Sequence, residues 1–78
     1  MSEDNYLHEA IIIVLRERGR AMTAQEIADE INRRGLYKRK NGTPLPADQV
    51  RRRVTKREYA HLFDYDYEDS MVRLEKQK

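Results

Sequence analysis

The chain has no cysteine. Disulfides and thiolate metal sites are therefore excluded as supports for a small core. Long apolar runs are missing too. Ile11 to Leu15 is a run of only five residues, against the roughly 20 that a membrane-spanning helix needs. Met1 to Asn5 is acidic and polar, so no signal peptide is read there and no membrane partner is expected. The expectation is a soluble, cytoplasmic protein, and the Met1 start and KQK end read as a whole small gene product, although an excised domain would look similar. Gly42 stands alone in its stretch, which leaves no phosphate loop. His8 and His61 are 53 residues apart and have no cysteine to join them, so no zinc site is expected. Ser2 lies in a terminus and Ser70 in a turn, away from any base that could activate a nucleophile. Paired carboxylates occur only in an exposed acidic turn, without burial to separate their pKa values. Neither catalysis nor a cofactor is expected.

The chain does carry charge. Its 78 residues are 38% charged and 38% hydrophobic, enough for one thin core that uses nearly every Ile, Leu and Val. The net charge of +2 conceals a bipolar distribution. Residues 33 to 57 hold ten basic residues and one acid, Asp48, a net +9. Residues 1 to 32 carry −4 and residues 58 to 78 carry −3. A basic middle between acidic flanks is the footprint of a polyanion partner.

The centre of that basic region is Pro46 to Arg57, PADQVRRRVTKR. On a helical wheel Val50, Val54 and Ala47 share one side, while Arg52, Lys56, Gln49 and Asp48 face the other. Arg and Gln make paired hydrogen bonds to purine edges, and Lys supplies charge toward phosphate. The plain alternative is a solvated face on a surface helix.

In chain order, Asp4 and Asn5 are candidate N-caps, and Leu7, Ile11, Val14 and Leu15 form a helical stripe that Ile12 and Ile13 widen. Gly19 is placed to end this helix. Arg20 to Met22 reads as short and extended. Thr23-Ala24-Gln25-Glu26 is a capping box, with Met22 and Ile27 as its hydrophobic staple. Ala24, Ile27, Ala28 and Ile31 form the inner face of a second helix that Gly35 stops. In Leu36 to Leu45, Leu36 and Tyr37 anchor to the core, and Lys38, Arg39 and Lys40 face solvent. Asn41-Gly42 is a turn signal, and Pro44 and Pro46 hold Thr43 and Leu45 extended. Pro46 is expected at the first helical position. Strand formers in His61 to Tyr65 and in Met71 to Leu74, joined by a polar turn, read as a β-hairpin.

These elements make an α+β fold, mainly α: a winged helix with three helices, a short strand and a C-terminal β-hairpin. The expected bounds are one domain over 1–78, with helices at about 5–18, 24–34 and 46–58 and a hairpin at about 61–75. The third helix is then the recognition helix of a helix-turn-helix.

The sequence resembles the HARE-type helix-turn-helix family, small winged-helix modules of restriction endonucleases, chromatin-associated proteins and the delta subunit of bacterial RNA polymerase. The resemblance runs from about Ala10 to Leu74. It is carried by Leu15 and Gly19, Met22-Thr23, Glu26-Ile27, Glu30-Ile31, the Arg34-Gly35-Leu36-Tyr37 corner, Gly42-Thr43-Pro44, Val50 with Arg53, Phe63 and Leu74. It implies double-stranded DNA binding by an adaptor without catalysis of its own, in transcription or restriction. One departure is the turn Asp64-Tyr65-Asp66-Tyr67-Glu68-Asp69, whose charge repels phosphate. That turn is a candidate surface for a protein partner in the delta-subunit manner. Its alternating Asp64, Asp66, Glu68 and Ser70 mimic a calcium loop, but Asp69 stands where an EF-hand requires glycine, and the flanks read as strands. The five tyrosines suggest single-strand stacking, yet most occupy positions better suited to core edges and strand packing.

The candidate DNA-binding residues are thus Gln49, Arg52, Arg53 and Lys56 toward the groove, and Lys38, Arg39, Lys40 and Arg51 toward the backbone. Arg33 and Arg34 are flanking candidates. A monomer is expected, since no apolar stripe is left for a dimer seam.

Overall fold

A computed structural model of the chain describes residues 6–39 and 41–74. Helix α1 spans Leu7–Arg18, strand β1 Met22–Thr23, helix α2 Ala24–Arg34 and helix α3 Ala47–Thr55. A single 3₁₀ turn, Ala60–Leu62, leads into β2 (Phe63–Asp66) and β3 (Met71–Leu74). The three strands form an antiparallel sheet in the order β1-β3-β2. Met22 pairs with Val72 in one ladder and Tyr65 pairs with Val72 in the other. Three helices and this small sheet are the architecture of a winged helix.

The periodicities place the core. Leu7, Ala10, Ile11, Val14 and Leu15 of α1 are buried, as are Ile27, Ala28 and Ile31 of α2 and Val50 and Val54 of α3. Met22, Leu45, Phe63 and Val72 close the cluster from the strands and the loop before α3. Among the described residues no polar side chain is buried in it, so its cohesion is apolar contact and dispersion. Ile12 and Ile13 are half-buried, which gives α1 contacts on more than one side.

Local chemistry sets the start and stop of α2. The Glu26 amide donates to the Thr23 hydroxyl, and the Thr23 amide donates to the Glu26 carboxylate, each at 3.0 Å. Met22 and Ile27 are both buried beside this box as a staple. At the other end Gly35 adopts φ +65°. The Leu36 amide reaches back to the Ile31 carbonyl at 3.1 Å, and the Gly35 amide to that of Asn32 at 3.4 Å. These two bonds form a Schellman stop. Thr23→Ala is expected to cost about 1 kcal/mol in denaturant melts while Thr23→Ser keeps the parent midpoint. Equal melts for all three would remove the box from the account of α2.

Several boundaries differ from expectation. Helix α3 ends at Thr55 rather than near residue 58, because Lys56 turns to ψ +137°. Continuing the helix would rotate Arg57 toward the apolar side. The chain instead turns, with the Tyr59 and Ala60 amides bonding to the Lys56 carbonyl at 2.9 and 2.8 Å. The Thr55 hydroxyl donates back to the Arg51 carbonyl at 2.9 Å, as β-branched hydroxyl residues do near helix ends. Pro46 is the N-cap of α3 rather than its first helical residue, with ψ 154°. Its carbonyl accepts from Gln49 at 3.1 Å and Val50 at 3.4 Å. Strand β1 is Met22–Thr23 rather than Arg20 to Met22. The hairpin begins at Phe63 because residues 60–62 are committed to the 3₁₀ turn. Tyr6 is the N-cap of α1, its amide donating to the Glu9 carboxylate at 3.3 Å. Asp4, Asn5 and Lys40 lie outside the described residues.

Charged pairs bind α1 to α2. Glu30, whose side chain is only 12% exposed, accepts from Arg18 at 3.1 Å and from Arg33, with Arg34 at 3.9 Å. Arg34 reaches Glu17 at 2.7 Å. The Arg33 hydrogen bond holds the Glu30 carboxyl below its ordinary pKa, against partial desolvation and with help from Arg18. Arg34 does the same for Glu17. Carboxyls depressed in the folded state stabilise above their unfolded pKa of about 4.3 and lose that contribution as pH falls through their folded values. Thermal melts are therefore expected to drop on acidification below about pH 4.3, and Glu30→Gln to show a flatter acid limb. An unchanged limb in Glu30→Gln would place the acid loss on other carboxylates.

Candidate nucleic-acid interface

Helix α2, the loop 36–45 and helix α3 form a helix-turn-helix whose loop is tied down from within. The Asn32 side chain donates to the Leu45 carbonyl at 3.0 Å and accepts from the Leu45 amide at 2.8 Å. This amide-to-peptide pair spans thirteen residues and sets where α3 begins. Inside the loop, Asn41 Oδ1 accepts from the Thr43 amide and hydroxyl at 3.1 and 2.7 Å. Gly42 at φ +75° permits the turn.

Val50 and Val54 hold the inner side of α3, at 0% and 1% exposure. Its remaining surface is largely cationic, and the structure gives nearly every cation on it an internal partner. Asp48 pairs with Arg51 at i+3 and with Arg52 at i+4, the latter at 2.8 Å. Arg52 still projects furthest, with its side chain 80% exposed. Arg53 is half-buried because its guanidinium lies 5.1 Å above the Tyr59 ring. Tyr59 also stacks on His8 at 4.5 Å, and His8 stacks on Tyr6 at 5.9 Å. This column ties the first turn of α1 to the end of α3. Lys56 caps α3 instead of extending it and sits 3.7 Å from Glu58.

The loop residues divide. Lys38 is exposed, whereas Arg39 is half-buried and donates to the Thr43 hydroxyl at 2.8 Å and the Pro44 carbonyl at 3.3 Å. Gln49 is half-buried and lines, with Tyr37, Arg39 and Asn41, a depression of about 220 Å³. The structure thus brings Arg39 and Gln49 to one place. Arg33 and Arg34 are engaged by Glu30 and Glu17, at the α1 side of α2. Sequence reasoning missed the contacts of Asn32, Thr43 and Tyr59, and placed Asp48 on the polar side of the third helix without pairing it. Asp48 carried a readable signal, the i+3 and i+4 spacing to two arginines.

The acidic turn is built on Asp66, whose carboxylate accepts from the Glu68 amide at 2.9 Å and the Asp69 amide at 3.4 Å. Among the described residues no group of three His, Asp or Glu converges as metal ligands. None of their helices is long and apolar enough to cross a membrane. Tyr37, Tyr59 and Tyr65 pack against the core, while Tyr6 and Tyr67 are 71% and 76% exposed.

Residues 6–65 match the family model HARE-HTH, a helix-turn-helix domain described by its occurrence in ASXL proteins and restriction endonucleases. No curated protein and no solved structure matches the chain.

Proposed function

The chain belongs to the HARE-HTH family of DNA-binding helix-turn-helix modules, and on that ground we propose that it binds double-stranded DNA through α3 and the loop before it. The observation that carries this reading is the division of α3, with Val50 and Val54 buried and arginines on the outer face. Gln49 and Arg52 face base edges, Arg52 also meeting phosphate, and Lys38, Arg51, Arg53 and Lys56 meet the backbone, with Lys40 adding charge from outside the described residues while Arg39 braces the loop. Phosphate contacts supply most of the affinity and base contacts the preference. The module acts as a monomeric cytoplasmic adaptor at the nucleoid, in transcription or restriction, without catalysis of its own.

Asp48 competes with DNA for Arg51 and Arg52. Exposed ion pairs are worth about 0.2–1 kcal/mol each, so Asp48→Asn is expected to tighten duplex binding about fivefold. Fluorescence anisotropy on a labelled random duplex, with a single strand alongside, measures this. Weaker binding by Asp48→Asn would show that Asp48 aims the arginines instead of withholding them. Absence of duplex binding at low salt would sink the DNA reading itself.

A second reading rests on the hairpin tip, where exposed Tyr67 stands among Asp64, Glu68 and Asp69, edge-on to Tyr65 at 4.7 Å. An exposed aromatic within acidic charge suits a basic protein surface. Charge reversal at Arg51 and Arg52 abolishes binding under the first reading, and reversal at Asp64 and Asp69 under the second.

A further inference from the structure

A second cationic surface lies away from α3, where the last turn of α1 meets the sheet. A groove of about 510 Å³ runs between them. Leu15, Ala21 and Leu74 supply its apolar lining, and Arg16, Arg20 and Arg73 its rim. Leu15 is only 2% exposed and Leu74 half-buried, so the floor belongs to the core margin. All three arginines are exposed, and among the described residues no acidic side chain lines the groove. Arg20 is partly occupied, donating to the Ala21 carbonyl at 3.1 Å and lying 4.0 Å from Glu26. Arg16 and Arg73 form no ion pair among the described residues, although Asp64 is the cross-strand neighbour of Arg73. The arginines of α3, by contrast, are held by Asp48 and Tyr59.

We propose that this groove is a docking site for an acidic peptide segment carrying an aliphatic side chain. The charge complementarity is direct: guanidinium forks take carboxylates in paired hydrogen bonds, and rim charges attract an acidic segment before contact. The apolar floor selects peptide over a phosphate polymer, because a sugar–phosphate backbone leaves the half-buried Ala21 and Leu74 uncovered while a leucine side chain covers them. Placement makes the site separate from the DNA face. Arg16 lies eight residues along α1 from His8, which stacks on Tyr59 beside α3, a rise of about 12 Å.

The test is anisotropy of a labelled peptide of Glu, Asp and Leu on the full chain without DNA. The same peptide with Ser for Leu, and the labelled duplex, are run in parallel. The Leu peptide is expected to bind at least about tenfold more tightly than the Ser peptide, since only it covers the floor. Arg16→Glu with Arg73→Glu removes that binding and leaves duplex binding near the parent value. Arg16→Gln with Arg73→Gln, milder on the fold, weakens the peptide in the same direction, with melts run on both variants. Equal binding of Leu and Ser peptides, or of parent and variants, overturns the proposal. So does a loss of duplex binding as large as that of peptide, which would assign these arginines to the DNA face. Failure of the peptide arm leaves the duplex arm, and with it the α3 reading, to stand on its own result.

Discussion

Raising salt from about 50 to about 200 mM is expected to weaken duplex binding about 500-fold, because five neutralised phosphates give a slope of about −4.5 in log K against log salt. The five cations are Lys38, Arg51, Arg52, Arg53 and Lys56, all on or beside α3. Internal pairing makes the slope diagnostic. If Asp48 keeps one of its two arginines when DNA binds, the count falls by one and the parent slope flattens to about −3.6. Asp48→Asn then restores the difference. Replacing Arg52 and Lys56 by Ala takes about 1.8 from the slope and leaves the melting curve in place, because both side chains lie mostly in solvent. Val54→Ala acts in the opposite sense. It removes two methyl groups from a side chain 1% exposed and is expected to cost about 2 kcal/mol of stability without altering the salt slope. Binding that ignores salt, or that is equally tight on a single strand, would take the phosphate contacts away from α3.

The parts of this molecule legible in the sequence are those whose cause is local. The Thr23–Glu26 box, the stops at Gly19 and Gly35 and the Val50–Val54 stripe each lie within one or two turns, and the structure shows each where the pattern placed it. The sum of charge near α3 was legible in the same way. Which cations are occupied was not. The Arg53–Tyr59 contact depends on α3 ending at Thr55, and a helix drawn to residue 58 swings Tyr59 elsewhere on the wheel. The His8–Tyr59 stack joins residues 51 apart, and nothing at either position announces the other. Arg39 reads as a phosphate contact by composition, yet its nearest acceptors are Thr43 and Pro44 of its own loop. Helix ends and long-range side-chain pairs are settled by tertiary packing, and periodicity does not encode them.

The residue that the pattern concealed most completely carries the other large effect. Asn32 sits in the last turn of α2, where its propensity is indifferent and its spacing to Leu45 has no helical meaning. Its amide makes both a donor and an acceptor bond to one residue's backbone, at 3.0 and 2.8 Å, in partly buried surroundings. Asn32→Ala removes both partners together and strands the Leu45 amide and carbonyl beside the core. Two bonds at about 1 kcal/mol each, plus incomplete solvation of what remains, give an expected loss of about 2–3 kcal/mol. That is a large share of the roughly 5–15 kcal/mol that stabilises a small domain. Asn32→Asp keeps the acceptor but turns a carboxylate oxygen toward the Leu45 carbonyl, so it is expected to be at least as damaging at neutral pH. Protonation restores a donor, and the Asp variant then recovers relative to Ala as pH falls. The functional consequence separates Asn32 from Thr23, whose loss costs stability at the far end of α2. Leu45 leads directly into Pro46, the N-cap of α3, so losing the Asn32 clamp loosens the angle of α3 against α2. Well below the melting temperature, Asn32→Ala is therefore expected to weaken duplex binding where Thr23→Ala does not. Equal duplex binding by the two variants would mean that the side chains of Leu36 and Leu45 alone hold α3 in place.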